Sequence, residues 1–533
     1  MSSEQDHVHN EATGMDPYLV GQAQEAAARE LSLPFKTAVR NYYPGMFWSC
    51  MLSLALVMEG YDVGMINSFF GHTAFKEKFG VLNKDGVKEV PANWQSALGN
   101  VSNVGVVIGL LINGYCQHRF GSKKVYLGTM VVMVGAVFLP VFATGLPMLT
   151  AGVFICGIPW GVFQTLTTAY AAEICPLPLR AHLTSFVNIC WAMGLFISSG
   201  VVRATLQINS VWGWRLPYVL QWIWPVPLFI CCLFAPESPW YLTREGKTEE
   251  AKRALRKTAR NGYYTEDELD AQVALMQHTH ALERQENANS SIMNCFRGTN
   301  LRRTEICCVV WLIQQSCGQP LTSYATEFLQ EVGMSTDQAF DLNISSNGML
   351  VFGTILTWVF MEKVGRRPIY LWGQVIMAFV LLAMGILGCF RSHNSTSYGV
   401  GALLVLINFT FACTLGPSCY TIVGELPASE VRGPTVVLAR GVYVIGGIIT
   451  GQLTPRMVTA GEWNWGAKGA FLYLGTNLLG LVYCYFRLPE TKGRSFGQLD
   501  VLFHNHVPAR KFASTVVEQF EEEAQDPKEK ADE

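Results

Sequence analysis

The chain has 533 residues, of which 50% are hydrophobic and only 15% are charged, and its formal net charge is -2 at pH 7. A soluble protein usually carries charge on about a quarter of its residues, so this composition indicates a membrane protein. The absence of a basic cluster argues against nucleic-acid binding. The fifteen cysteines lack the spacing of a zinc site or of a secreted disulfide framework, so the sequence predicts neither a metal nor a cofactor.

Apolar runs that could cross a bilayer recur twelve times, given that a transmembrane helix needs about 20 apolar residues. Numbered 1 to 12, the predicted spans are 44–68, 94–116, 125–144, 148–171, 183–203, 215–235, 304–325, 343–361, 369–389, 399–424, 434–456 and 467–487. Polar tails precede the first span (1–43) and follow the last (488–533). We therefore predict an all-α membrane protein with twelve transmembrane helices.

One long polar segment, which we call the bridge, interrupts these spans at residues 236–303. It cannot lie in hydrocarbon, because each charge placed there costs several kcal/mol. Six predicted spans precede it and six follow it. The sequence thus predicts two six-helix halves, 44–235 and 304–487, which are joined by a water-exposed bridge.

The short loops after spans 2, 4, 8 and 10 carry an excess of Lys and Arg over the loops at the opposite ends of the spans. The positive-inside rule then places both termini and the bridge in the cytosol. Asn394-Ser395-Thr396 is a sequon in the predicted outer loop before span 10, so Asn394 is a candidate glycosylation site.

Three motifs recur in the same order in the two halves, which indicates an internal repeat. They are, in the first and second half respectively, Gly121-Ser122-Lys123 and Gly365-Arg366-Arg367 after spans 2 and 8, Glu173 and Glu425 at the ends of spans 4 and 10, and Pro236-Glu237-Ser238 and Pro489-Glu490-Thr491 after spans 6 and 12. Chance recurrence of all three motifs in one order is improbable.

Acidic and basic residues cluster at the predicted cytosolic ends of the spans. Carboxylates and guanidinium groups at this depth should pair, because an unpaired buried charge is costly. We interpret the cluster as a cytosolic gate whose ion pairs hold the halves together and break during the transport cycle. Topology charges and helix capping are the alternative interpretation. The gate residues are Arg119, Glu173, Arg180, Glu362, Arg366, Glu425 and Arg432.

Two acids, Glu59 and Asp62, lie in the run that forms span 1. An ionisable residue inside a membrane span is a functional hypothesis by default. A desolvated carboxylate can take up a proton on the acidic side and release it on the other. We therefore predict proton coupling at Asp62, with Glu59 beside it. The alternative is that span 1 ends near residue 58 and that both acids lie in water.

Span 7 contains Gln314, Gln315 and Gln319 beside the helix breakers Gly318 and Pro320. A glutamine amide donates and accepts hydrogen bonds at once, which suits sugar hydroxyls. We predict that these glutamines bind the substrate, and polar packing between helices is the alternative. Further candidates for the same cavity are Trp160, Gln164, Asn188 and Asn347.

Several of these motifs resemble the signatures of sugar porters in the major facilitator superfamily. They are Glu362 to Arg367, Pro236-Glu237-Ser238-Pro239 and Pro489 to Arg494. Four further runs are similar to fungal α-glucoside (maltose-type) permeases, namely Gly157 to Thr167, Trp463 to Lys468, Leu499 to Phe503 and Ala509 to Phe512. The resemblance covers about residues 44–515. It implies the major facilitator fold and import of an α-linked disaccharide with a proton, with Asp62 in the coupling site and Gln314 in the sugar site.

We predict a plasma-membrane transporter of the α-glucoside:proton symporter type that works as a monomer and is not an enzyme. A transporter or exporter of a less polar glycoside or secondary metabolite is an alternative. Val153, Leu195 and Ala412 favour it, because the family pattern has polar groups at these places. A sugar sensor that does not transport is a second alternative.

Overall fold

A computed structural model describes residues 17–82, 88–289, 292–331, 333–390, 394–428, 431–459, 462–492 and 496–515. The chain folds into two compact units. The first unit comprises Met1–Asn289 and Thr336–Gly348, and the second comprises Ser290–Ser335 and Met349–Glu533. The described part of the chain is helical apart from loops and one short antiparallel hairpin, in which Val81 pairs with Glu89.

Helices occupy every predicted span. Those from the amino terminus to the end of the bridge are Pro17–Ser32, Phe35–Asn41, Tyr43–Ser53, Ala55–Phe69, Thr73–Phe79, Ala92–Phe120, Ser122–Val141, Leu146–Ile174, Leu177–Thr205, Trp212–Leu220, Pro225–Phe234, Pro239–Arg244, Thr248–Thr258 and Glu266–Asn289. The later ones are Gly298–Ser316, Gln319–Ser323, Ala325–Glu331, Thr336–Val364, Arg366–Leu387, Asn394–Cys413, Leu415–Glu425, Arg432–Val458, Ala470–Arg487 and Phe496–His504.

Ten helical segments of the described chain are long and apolar enough to cross a membrane. Predicted spans 7 and 8 are helical but are not among these ten. Span 7 carries glutamines beside the break at Gly318, and the helix Thr336–Val364 carries acids and amides such as Asp341, Asn343 and Asn347. Polar helices of this kind belong against other helices rather than against lipid.

Glycines bring helices of the first unit into close backbone approach. A Cβ added at Gly60 would lie 2.1 Å from the carbonyl oxygen of Trp191, and one added at Gly194 would lie 2.3 Å from that of Val57. Small residues allow such close approach where hydrophobic exclusion from water cannot drive helix association. The helix Ala55–Phe69 is thereby held firmly against the helix Leu177–Thr205.

Before the helix Gly298–Ser316, the described part of the bridge contains a short 3-10 helix, Ile292–Phe296, and three α-helices, Pro239–Arg244, Thr248–Thr258 and Glu266–Asn289. Leu242, Leu255 and Leu269 belong to a small apolar cluster that the three α-helices share. The helix Glu266–Asn289 begins with a capping box, because Glu268 accepts a hydrogen bond from the amide of Thr265, and the Thr265 hydroxyl accepts one from the amide of Glu268. The amino-terminal helix Pro17–Ser32 packs along this helix.

Candidate functional site

Both acids of span 1 are buried inside the first unit. Glu59 is 5% exposed and Asp62 is 1% exposed, and the helix Ala55–Phe69 continues well beyond both of them. The alternative in which span 1 ends near residue 58 is therefore wrong. The acids bond to different neighbours, since Gln164 Nε2 donates to Glu59 Oε1 at 2.6 Å and Gln221 Nε2 donates to Asp62 Oδ1.

The remaining substrate candidates of the first unit have separate surroundings. Asn347 is buried and donates to Ser199 Oγ at 2.7 Å and to Asn343 Oδ1 at 3.3 Å. Trp160 is fully buried, and its indole N–H has no partner among the described residues. Asn188 is half-buried. Of the predicted substrate residues in this unit, Gln164 is therefore the one in direct contact with an acid of span 1.

The three glutamines of span 7 differ in their burial and in their hydrogen bonds. The helix Gly298–Ser316 ends before Gly318, which adopts a φ of 100°, and this confirms the predicted break. Gln314 is 6% exposed and donates to the carbonyl oxygens of Leu415 and Gly416, both at 3.1 Å. These bonds tie span 7 to the interruption of span 10. Gln315 and Gln319 are half-buried.

The repeated motifs of the first unit meet at a helix amino terminus. Gly121 adopts a φ of 85°, and the helix Ser122–Val141 starts immediately after it. Glu237 Oε1 accepts hydrogen bonds from the amides of Lys123 at 3.1 Å and Ser238 at 3.0 Å. A carboxylate here satisfies amides that the helix itself leaves unpaired. Burial raises the pKa of the Glu237 carboxyl, and the backbone amides around it oppose this shift.

The second unit repeats this arrangement. Gly365 adopts a φ of 105° before the helix Arg366–Leu387. Glu490 Oε1 accepts from the amide of Arg366 at 3.1 Å, and Glu490 Oε2 accepts from that of Arg367 at 3.2 Å. A Cβ at Gly121 would lie 2.7 Å from Glu237 Oε2, and one at Gly365 would lie 2.8 Å from Glu490 Oε2. Both glycines are thus required by conformation and by space.

The predicted gate residues form one complete ion pair within the second unit. Arg366 Nη2 lies 2.7 Å from Glu425 Oε1, and Thr491 Oγ1 donates to Glu425 Oε2 at 2.6 Å. In the first unit, Glu173 lies in the field of Arg180 and Arg244, and Arg119 is exposed. The side chains of Glu362, Arg432 and Asn394 lie outside the described residues.

An arginine inside span 11 was overlooked by the reasoning from sequence. The guanidinium carbon of Arg440 lies 4.7 Å from the ring centroid of Trp311 and 4.5 Å from that of Tyr443, and Tyr420 packs edge-on against Trp311. Aromatic faces stabilise a desolvated cation. The signal was available, because Arg440 is an ionisable residue within a predicted span and such residues are functional candidates by default. Gln221, the partner of Asp62, carried a weaker signal as one amide in span 6.

At three positions this chain has an apolar residue where the family pattern has a polar one. These residues, Val153, Leu195 and Ala412, pack within their own units. Val153 is fully buried. A Cβ on Gly64 would lie 3.0 Å from Leu195 Cδ2, and one on Gly353 would lie 2.8 Å from the Ala412 Cβ. Leu195 and Ala412 therefore fill space opposite glycines of neighbouring helices. Their apolar character is explained by helix packing and does not by itself indicate a less polar cargo.

Comparison with known proteins assigns the family. The model of the family described as "Sugar (and other) transporter" matches residues 48–503. The chain belongs to this sugar transporter family. The general alpha-glucoside permease of Saccharomyces cerevisiae is 37% identical over 520 residues, which cover 97% of this chain and 83% of the relative. Maltose permease MAL31 of the same yeast is 35% identical over 504 residues, covering 93% and 82%.

Solved structures support the fold of this sugar transporter. The proton:xylose symporter XylE bound to 6-bromo-6-deoxy-D-glucose matches with a TM-score of 0.68 at 21% identity, covering 87% of this chain and 100% of that chain. A partially occluded inward-open form of XylE from E. coli also gives a TM-score of 0.68, at 20% identity, covering 84% and 99%. The predicted major facilitator fold is confirmed. The protein is a multi-pass membrane transporter of sugars and not an enzyme.

Among the described residues, no group of His, Cys, Asp and Glu side chains could hold a metal ion. Buried carboxyl and amide groups among the described residues can form hydrogen bonds with a polar solute. Asp62 and Glu59 offer the carboxyl groups, and Gln164 and Gln221 hold them in place.

Proposed function

We propose that this transporter imports α-linked glucosides of the maltose type together with a proton, by alternating access. The burial of Asp62 within span 1 carries the proposal, because a carboxyl group sealed from water and held by one amide can alternate between protonated and ionised states as access changes. The yeast relatives, whose names specify alpha-glucosides and maltose, support this class of substrate.

In this proposal Asp62 is the coupling residue, and Glu59 links coupling to the substrate. Gln164 bonds to Glu59 and also belongs to the predicted substrate-binding set. A sugar hydroxyl that competes for the Gln164 amide would change the hydrogen bonding of Glu59. Gln315 and Gln319 are the amides of the second unit that we assign to sugar binding, whereas Gln314 acts by holding the break of span 10 in place.

We further propose that the protein lies in the plasma membrane as a monomer, with both termini and the bridge in the cytosol. The distribution of Lys and Arg over the short loops supports this orientation. The sequon at Asn394 then faces outward. The gate acts on the cytosolic side, where breakage of the Arg366–Glu425 pair accompanies opening.

The test is uptake of labelled maltose and trehalose by cells that lack their own permeases, at acidic and neutral outer pH. The variants are Asp62→Asn and Gln221→Leu. Asp337→Asn is the matched control, because the Asp337 side chain is 71% exposed and pairs only with Arg203 among the ion pairs of the described chain. We expect uptake to rise at acidic pH in the wild type and in the control, and this rise to disappear in Asp62→Asn.

Two results would contradict the proposal. Uptake that is equal at both pH values in the wild type would exclude proton coupling. No uptake of either sugar by protein that reaches the cell surface would exclude α-glucosides as the cargo. A comparison of metabolites inside and outside the cells would then test export of a less polar compound, and sugar binding without uptake would identify a sensor.

A further inference from the structure

The loop between spans 11 and 12 displays two indole rings that the transport mechanism does not use. Trp463 and Trp465 are each 45% exposed, and their ring centroids are 5.2 Å apart with an angle of 35° between the planes. At this separation the rings pack against each other, and together they present an exposed apolar surface, which we call the indole platform.

The backbone under the platform is firmly built. The amide of Trp463 donates to the carbonyl of Arg456 at 3.1 Å, and that of Trp465 donates to the carbonyl of Met457 at 2.9 Å. Asn464 and Gly466 both adopt a φ of 50°, in the left-handed region that residues other than glycine seldom occupy. Both tryptophan amides thus bond to the last turn of span 11, which fixes the backbone that carries the two indoles.

Packing beneath the loop anchors it to the rest of the second unit. Ala467 is only 5% exposed, and a Cβ added at Gly388 would lie 2.8 Å from Ala467 Cβ. The base of the loop is therefore buried against the end of span 9 while the indoles remain outside. Tryptophans that only mark the membrane interface need no such fixed spacing or paired left-handed residues.

Polar side chains border the platform. Glu462, Asn464 and Lys468 are exposed next to the indoles and supply an acid, an amide and a cation. The C–H face of a glucose ring is apolar and packs on an indole, while its equatorial hydroxyl groups need polar partners at the rim. Because each indole is 45% exposed, the parts of the rings that are not packed on each other remain available to glucosyl units.

The platform lies at the end of the second unit opposite the Arg366–Glu425 pair. The helix Arg432–Val458 starts near Glu425 in the chain and has 27 residues, so it rises about 40 Å before the loop begins. In the orientation proposed above, this end faces the outside of the cell. We propose that the indole platform is an outer subsite that captures α-linked glucosyl units before they enter the transport site. This inference rests on the proposed function.

The test measures uptake kinetics of maltose and maltotriose for the full-length transporter in cells. The variants are a double Trp463→Ala and Trp465→Ala change and the conservative Trp463→Phe and Trp465→Phe pair. Trp212→Ala is the control, because Trp212 is 57% exposed at the start of the helix Trp212–Leu220 and belongs to the first unit. We expect the double alanine variant to raise KM about three- to tenfold, the range of one or two aromatic contacts. The maximal rate and the control should be unchanged.

Further features of the result separate the subsite from a structural role. The rise in KM should be larger for maltotriose than for maltose, and the phenylalanine pair should recover most of the loss. Unchanged KM values with less protein at the cell surface would overturn the inference and identify the indoles as membrane anchors. Wild-type protein that takes up neither sugar would refute the proposed function instead. Calorimetric titration of the purified chain with maltotriose then tests the subsite directly. Equal affinities of the wild type and the double alanine variant for maltotriose would overturn the inference.

Discussion

The helix-end sites of the two units have the same arrangement but differ in the residue that follows the glycine. In both, a glycine in the left-handed region precedes a helix, and a glutamate from a distant segment bonds to the first amides of that helix. After this glycine the first unit has Ser122 and the second has Arg366. Ser122 accepts a hydrogen bond from Gln117, whereas Arg366 reaches the acid at the end of span 10.

This difference changes the state of the two acids that end spans 4 and 10. Both carboxylate oxygens of Glu425 are bonded, one to Arg366 and the other to Thr491. Glu173 Oε2 has no hydrogen-bond partner among the described residues. The shared glycine and glutamate build the helix end, whereas the residue after the glycine decides whether the nearby acid forms a close ion pair. We therefore expect the ion pair of the gate mainly in the second unit.

The largest effect is expected from removing the Arg366–Glu425 ion pair. Arg366→Ala or Glu425→Gln should lower the maximal uptake rate at least about tenfold, because a half-buried charge loses its partner at a cost of about 2–5 kcal/mol. The affinity for sugar should change less than twofold. Uptake kinetics and calorimetric binding, measured on the same variants, separate these quantities. An unchanged transport rate in either variant would remove the pair from the proposed gate.

The glycine that precedes the helix in each unit predicts a second effect, which should be similar in the two units. Gly121→Ala and Gly365→Ala should each destabilise the protein by about 1–3 kcal/mol, since both positions combine a left-handed backbone with a carboxylate within 3 Å of a new Cβ. Thermal unfolding in detergent measures the loss. Gly128→Ala and Gly441→Ala are matched controls, because a Cβ there meets nothing within 4 Å. A loss of stability in only one of the two variants would show that the two glycines are not equivalent.

A smaller effect is expected at Glu173, the acid that ends span 4. Glu173→Gln should reduce the maximal uptake rate only about two- to threefold, because the substitution removes long-range attraction to Arg180 and Arg244 but no ion pair as close as that of Glu425. The same uptake assay that compares Arg366→Ala with wild type serves here. If Glu173→Gln and Glu425→Gln were equally impaired, the residue after the glycine would not be what distinguishes the units.

The smallest effect concerns the helix Pro17–Ser32, which packs on the bridge in the first unit. Arg29 pairs with Glu268, but their side chains are 44% and 27% exposed, so Arg29→Ala should cost no more than about 0.5 kcal/mol. Hydrogen exchange of residues 17–32 measures the loosening, with Lys36→Ala as the exposed control. Exchange that is unchanged would show that apolar packing alone holds this helix.

This contact also has a defined dependence on pH. Burial acts to raise the pKa of Glu268, but the Thr265 amide and Arg29 outweigh it, and the pKa is lowered. A lowered pKa means that the ionised form stabilises the folded state. The contribution is therefore complete above the ordinary glutamate pKa of about 4.3 and is lost as the pH falls through that value towards the lowered one. The variant Arg29→Ala should lose part of this dependence.

The sequence alone determined the membrane class, the positions of the spans and the repeated motifs. Long apolar runs and charges that cannot enter hydrocarbon leave few alternatives, and these properties are local to the chain. The same reasoning placed Glu59 and Asp62 within span 1, and their burial confirms it. It also predicted that acids and arginines of the gate would pair, and Arg366 pairs with Glu425 within the second unit.

Only the tertiary structure decided which groups meet. It joined Glu237 to the helix after Gly121 and paired Asp62 with Gln221, 159 residues away. It bonded the Gln314 amide to the break in span 10, and it placed Leu195 opposite a glycine of a neighbouring helix. The physical reason is that hydrophobic patterns fix which segments enter the membrane, whereas partners between distant segments depend on how closely their helices approach and turn towards each other.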